Sequence, residues 1–302
     1  MRDVSMGQYY PTKSVIHRMD ARAKIVFVVA YIVLLFLIPT LDSFTKRGGA
    51  LGDYVISAGV AYFIVLIFLI IAILFSRVPL LKVLKSIKAV LFLVIFTAII
   101  MMLFYSGNAN HIYFQWRLIK ISLEGIISAA AMALRLFFLV MGPSILTLTT
   151  TPVELTDGIE RLLKPLSYIK VPVHDIAIIM SIALRLIPTL IEETDKIKNA
   201  QKARCADFES GNIFKRAKAM IPILVPLLVS SFRRADELAY AMDSRCYRGA
   251  KGRTRMKIMK LGLRDFVGFL VLCAVFFAVL MMVYDYFGVA STLCGWVLSI
   301  LA

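Results

Sequence analysis

The chain is 302 residues long, 60% hydrophobic and +16 in formal net charge, with a mean hydropathy of +0.82. A soluble core of this size cannot bury that much apolar surface, so a polytopic membrane protein is the natural class. The basic residues sit beside and between the apolar runs, so positive-inside topology accounts for the charge and no nucleic-acid partner is expected.

Of the 35 Lys and Arg, 17 fall within residues 196–264, against five acids there: Asp207, Glu209, Asp236, Glu237 and Asp243. That imbalance makes the segment cytoplasmic. The four cysteines, Cys205, Cys246, Cys273 and Cys294, form no C-x-x-C pair, and two of them lie in this reducing compartment. Neither a disulfide framework nor a zinc site is expected.

No apolar core with a small-residue cleavage site follows the polar start, so no cleavable leader is expected. Residues 14–24 read SVIHRMDARAK, in which Asp20 caps the coming helix and Arg18, Arg22 and Lys24 anchor it in the cytoplasm. His17 and Asp20, three apart, read as cap and anchor, because nothing nearby completes a catalytic site.

The run at 25–38 is apolar but shorter than the ~20 residues of a perpendicular span, so it needs snorkelling at Lys24 or local thinning. Residues 54–75 are a full-length apolar span. Arg77, Lys82, Lys85 and Lys88 return the chain to the cytoplasm, and 87–105 crosses again. In the external loop, Tyr113 and Trp116 suit a membrane interface, with contact to a soluble ligand as the alternative. The span at 125–149 carries Arg135 near its middle, with no intramembrane acid as partner. Backbone carbonyls, a helix end or water remain as partners, and both substrate coordination and structural fastening stay open as roles.

Thr151, Pro152 and Glu154 give the cap, the first position and the capping box of an amphipathic helix running to about Leu163. Two long helix-like runs follow, within residues 177–249. Each is apolar at its start and charged at its end, and each closes on a small-Arg-Cys tripeptide: Ala203-Arg204-Cys205 and Ser244-Arg245-Cys246. Pro188 is expected to kink the first run. Ala235, Ala239 and Ala241 let another helix come close to the second. A basic segment then leads to a last span at 266–287, followed by a short apolar tail.

Catalytic signals are absent from the sequence. There is no G-x-x-x-x-G-K-[ST] loop and no H-E-x-x-H, and His17, His111 and His174 are scattered, so neither an enzyme nor a resident cofactor is expected. Intramembrane acids and paired glycine-broken helices are missing too, which lowers a self-contained carrier. What remains is a membrane scaffold with a cytoplasmic two-helix output.

At this point the chain resembles the transmembrane T component of energy-coupling factor transporters, which import vitamins and transition-metal ions. The similarity rests on H-x-M-D-x-R-x-K at 17–24, on Arg135, and on Thr149-Thr150-Thr151-Pro152 with Glu160, Leu163 and Pro165. Its most specific parts are Ala183-Leu-Arg185-Leu-Ile-Pro188, Ala200-Gln201-Lys-Ala203-Arg204, and Arg234-Ala235 through Ala241-Met242 to Arg245-x-Tyr247-Arg248-Gly249.

The resemblance implies an all-α membrane protein of about five transmembrane helices in a prokaryotic plasma membrane, with the N-terminus cytoplasmic. Residues 1–150 would be a membrane domain with spans near 25–38, 54–75, 87–105 and 125–149. Residues 151–264 would be a cytoplasmic coupling domain of long crossed helices, and 265–302 a final span and tail. It further implies docking of Ala203, Arg204, Cys205 and of Ser244, Arg245, Cys246 onto two ATP-binding-cassette subunits. Arg185, Pro188, Arg234, Ala235, Tyr247 and Arg248 would support these helices. A small substrate-binding membrane subunit would complete the assembly, and ATP hydrolysis would belong to the ATPases. A self-contained carrier or channel and a purely structural scaffold are the alternatives. The sequence departs from the family's Ala-Arg-Gly motifs in having Cys at both glycine positions and Ser244 for the second alanine. A site requiring positive φ would be strained by Cys.

Overall fold

The computed structural model describes residues 9–12, 14–41, 51–104, 112–116, 119–206, 208, 212–249 and 262–284. The loop after residue 41, the side chains of Tyr113 and Trp116, the basic return at 251–260, Cys294 and the tail at 288–302 lie outside the described residues. Among the described residues the α-helices are α1 (Ala21–Leu37), α2 (Leu51–Ser76), α3 (Leu80–Leu103), α4 (Leu123–Thr149), α5 (Pro152–Leu162), α6 (Val173–Ala203), α7 (Ile213–Ser244) and α8 (Leu263–Tyr284). A 3₁₀ turn, Lys164–Ile169, sits between α5 and α6.

The external loop is not wholly irregular. A small antiparallel hairpin, β1 (Ile112–Trp116) with β2 (Ile119–Ser122), pairs Trp116 with Ile119 and Gln115 with Lys120. Among the described residues it is the one addition to an otherwise all-α membrane protein, and Ser122 at its end accepts the Gly125 amide at 3.0 Å as the cap of α4.

By length and composition, α2, α4, α6 and residues Leu263–Met281 of α8 can each cross a membrane, and α3 adds a shorter apolar stretch, Val90–Leu103. The surface pattern is that of a protein solvated by lipid. Along α2, Tyr54, Ala58, Ala61, Val65, Leu69 and Ile73 are buried in one stripe, while Phe63, Ile67, Ile70, Ile71, Leu74 and Phe75 face outward. Small residues at the contact let neighbouring backbones approach, as membrane packing favours.

The chain divides into two compact units, one holding the helices between Pro152 and Ile258, the other the helices before and after them. In the membrane unit, α4 packs on α1, α2 and α3, and α8 packs on α1 and α2. Its core gathers Leu34, Leu35 and Ile38 with the α2 stripe, Phe138, Met141 and Val279.

Two intramembrane cations fasten α1 to α4 reciprocally. Lys24, buried near the start of α1, donates to the Thr149 carbonyl at 3.0 Å and to Thr150 Oγ1 at 3.2 Å, at the end of α4. Arg135, midway along α4, donates to the Ile38 carbonyl and to that of Pro39 at 3.4 Å, at the end of α1. Lys24 and Ile38 are 14 positions apart, as are Arg135 and Thr149, so both clamps lie about 21 Å apart along either axis. Each cation meets the negative end of the other helix's dipole and satisfies carbonyls that have no partner within their own helix. The shortness of α1 and the missing partner of Arg135 thus explain each other: α1 stops inside the span, and Arg135 receives its end. Fastening is the role the geometry gives Arg135.

Between the clamps, Tyr31 donates its hydroxyl to the Phe138 carbonyl at 2.9 Å. Its ring lies on Gly142, where an added Cβ would come within 2.4 Å of the ring carbons. The hydroxyl bond keeps the ring from swinging clear, so Gly142→Ala is expected to destabilise the membrane unit by about 1–3 kcal/mol, the usual scale of overpacking. A thermal-unfolding midpoint in detergent equal to wild type would contradict this.

The N-terminal segment is locked in the same way. Asp20 accepts the Arg22 amide at 3.2 Å as the cap of α1, and its own amide donates to Asp265 Oδ1 at 3.0 Å. Asp265 Oδ2 caps α8 by accepting from the Gly262 amide at 2.8 Å. His17 is held by Ser14 Oγ at 2.7 Å and by the Tyr10 carbonyl at 2.9 Å, so it is structural.

Candidate functional site

The second unit is built around α6 and α7. Helix α5 begins at Pro152, and Glu160 on it meets His174 Nδ1 at 3.0 Å in the first turn of α6. Helix α6 is continuous through Pro188, and α7 is continuous through Pro222 and Pro226. They pack together, and a polar cluster pins the contact: Arg234 of α7 pairs with Glu193 Oε2 of α6 at 2.8 Å, and Ser230 Oγ donates to Glu193 Oε1.

Arg234 thus joins α7 to α6 through an ion pair. Its partners Glu193 and Ser230 are not evident from the sequence, where Glu193 reads as one of several solubilising charges. The available signal was spacing, since Leu186, Leu190, Glu193 and Ile197 share one helical stripe, as do Ile223, Leu227, Ser230 and Arg234.

The two helix ends are geometric twins. On α6, Arg204 is the C-cap residue at φ −89° and ψ 17°, and Cys205 follows at φ +63°. The Cys205 amide donates to Lys202 O at 3.0 Å and the Ala206 amide to Gln201 O at 3.1 Å. On α7, Cys246 has φ +53°, its amide donates to Asp243 O at 2.9 Å, and the Tyr247 amide donates to Met242 O at 3.0 Å. This pair of bonds, closing over one left-handed residue, is the Schellman motif, which ordinarily uses glycine. Both cysteines therefore sit where glycine is favoured, and the strain foreseen from the sequence is present at both ends.

A left-handed non-glycine residue costs about 1 kcal/mol or more. Cys205→Gly and Cys246→Gly are accordingly expected to tighten each end, slowing amide exchange at Ala206 and Tyr247 by up to about fivefold, the equivalent of about 1 kcal/mol. Exchange that is unchanged or faster in both variants would contradict the strain.

The motif turns the chain sharply and leaves the Arg204 and Arg245 side chains exposed, with no ion pair among the described residues. Ala203 and Ser244 beside them are exposed, as are Cys205 and Cys246. Of the remaining sequence-derived positions, Arg185, Ala235 and Arg248 are exposed, while Pro188 and Tyr247 are half-buried. The apolar halves of both helices are also uncovered: Ile176, Ile179 and Ile187 on α6, and Met220, Leu224, Val225, Leu228 and Phe232 on α7. Among the described residues, no group of three or more His, Cys, Asp or Glu could hold a metal ion.

Comparison with known proteins agrees with this architecture. Residues 54–257 match the family model described as "Cobalt transport protein". The chain is 50% identical over 274 residues to the energy-coupling factor transporter transmembrane protein EcfT of Clostridium kluyveri, covering 91% of this chain and 94% of that one. It is 46% identical over 260 residues to the protein of the same name from Ruminiclostridium cellulolyticum, covering 86% and 90%. With the Acidaminococcus fermentans protein, again of that name, identity is 45% over 276 residues, covering 91% and 95%. A multi-pass membrane protein with paired long helices and likeness of this extent belongs to the family of energy-coupling factor transporter transmembrane proteins.

Proposed function

We propose that this chain transmits ATP-driven motion from two ATP-binding-cassette subunits to a separate, small substrate-binding membrane subunit, for uptake of a vitamin or metal ion. The observation that carries the reading is the pair of matching helix ends, each holding an exposed arginine with no ion pair among the described residues. Two equivalent ends suit two equivalent partners. Each arginine fits a groove lined with acidic groups, where a planar guanidinium can pair through two hydrogen bonds.

The uncovered apolar halves of α6 and α7 suit a second, hydrophobic partner, since contiguous exposed apolar surface marks lipid or protein contact. The Glu193, Ser230 and Arg234 cluster makes the two helices move as a pair, so displacement of one end reaches the apolar half of both. In this reading the chain itself performs no catalysis.

Copurification in mild detergent tests the proposal. Two ATPase subunits and one small hydrophobic protein are expected with the tagged chain. Solute transport by the purified chain alone would instead establish a self-contained carrier, and partner ATPases whose hydrolysis is indifferent to the chain would leave it a scaffold.

A further inference from the structure

The membrane unit carries a cationic feature of its own. A cavity of about 600 Å³ opens where the segment before α1, the end of α2 and the start of α8 meet. That volume lies within the range of small-molecule sites, about 300–1,000 Å³. Three arginines line it, Arg18, Arg77 and Arg264, one from each of these segments.

None of the three forms an ion pair among the described residues. Of the nearest acids in sequence, Asp265 gives both carboxylate oxygens to backbone amides, and Asp20 Oδ1 accepts the Arg22 amide at the cap of α1. Among the described residues, three like charges have therefore been gathered with no ion-pair partner. Arg77 is moreover held at φ +54°, a left-handed conformation that a non-glycine residue keeps only when its surroundings impose it.

Apart from Ser14, the rest of the wall is apolar. Val15, Leu74 and Phe75 line the cavity and are exposed, and Leu74 and Phe75 continue the outward-facing surface of α2. The cavity thus joins a cationic rim at the cytoplasmic flank to a surface that faces acyl chains. A soluble phosphate would use only the rim, and an acidic peptide would leave the lipid-facing wall unmatched.

We propose that this cavity binds one anionic glycerophospholipid of the cytoplasmic leaflet. Arg18, Arg77 and Arg264 hold its phosphate, and Val15, Leu74 and Phe75 receive the first methylenes of a chain. Basic pockets between transmembrane helices on this side of a membrane suit such headgroups. The bound lipid would join the segment before α1 to α2 and α8, and it would do so whether or not ATPases dock on α6 and α7.

Native mass spectrometry of the full chain in neutral detergent, titrated with phosphatidylglycerol or phosphatidylcholine, tests this. One phosphatidylglycerol is expected to be retained, about tenfold in preference to phosphatidylcholine, and millimolar inorganic phosphate should not displace it. The triple variant R18Q/R77Q/R264Q should lose the preference. If that variant fails to fold, R18Q and R264Q singly should each lower the preference severalfold, with circular dichroism confirming the helices. Equal retention of both lipids overturns the proposal and leaves the arginines to a protein partner. Displacement by inorganic phosphate, or a preference unchanged in the arginine variants, also overturns it.

Discussion

Replacing Arg204 and Arg245 together with Glu is expected to abolish ATP-driven uptake while the protein remains inserted at wild-type levels. Both side chains are exposed and form no ion pair among the described residues, so the fold does not depend on their charge. Removing one partner from a buried interfacial ion pair costs about 3–5 kcal/mol, and reversing its charge adds repulsion. At each end the affinity for an acidic groove should therefore fall by at least about a hundredfold. Lysine at both positions should retain part of the function, as a point charge without the guanidinium fork. Uptake assays in cells, with immunodetection of the membrane fraction, measure this. Normal uptake in the doubly reversed variant would remove the arginines from the mechanism.

The second large effect lies in the membrane unit. Arg135→Met is expected to destabilise it by about 3 kcal/mol, since hydrogen bonds to a charged group are each worth ~1.5–3 kcal/mol. The variant strips the Ile38 and Pro39 carbonyls of their donor inside the span, where water is not at hand to replace it. Arg135→Lys should recover part of the loss. The variant's thermal midpoint and the yield of monodisperse protein in detergent report the change. A midpoint equal to wild type, combined with lost uptake, would return Arg135 to substrate coordination.

These two arginine systems differ in how far the sequence revealed them. The ends at Arg204 and Arg245 were legible because a helix end is a local object: an apolar run, a change to charge, a small residue and a cation in the last turn all lie within a few positions. The cysteines at 205 and 246 could be recognised as glycine replacements from the resemblance, but their positive φ is a backbone fact that only the structure supplies.

Arg135 shows the opposite case. Its depth was readable, whereas its partner depends on where α1 ends against α4, a tertiary register set by packing around Tyr31 and Gly142. The pairing of Glu193 with Arg234 was hidden for the same reason, since each residue belongs to a different helix. The hairpin at Ile112–Trp116 and Ile119–Ser122 escaped because short strands in a polar, aromatic loop carry no decisive periodicity.

The native cysteines allow a direct test of the central claim, that the ends of α6 and α7 are the surfaces on which ATPases dock. Cys205 and Cys246 are exposed and stand next to the two arginines, so maleimide labelling in membranes, quantified by peptide mass spectrometry, reports whether each end is covered. Both should react freely when the chain is expressed alone and be protected when the two ATPase subunits are coexpressed. Cys273, in α8, should label alike in both conditions. Equal labelling of Cys205 and Cys246 with and without the ATPases would contradict the account.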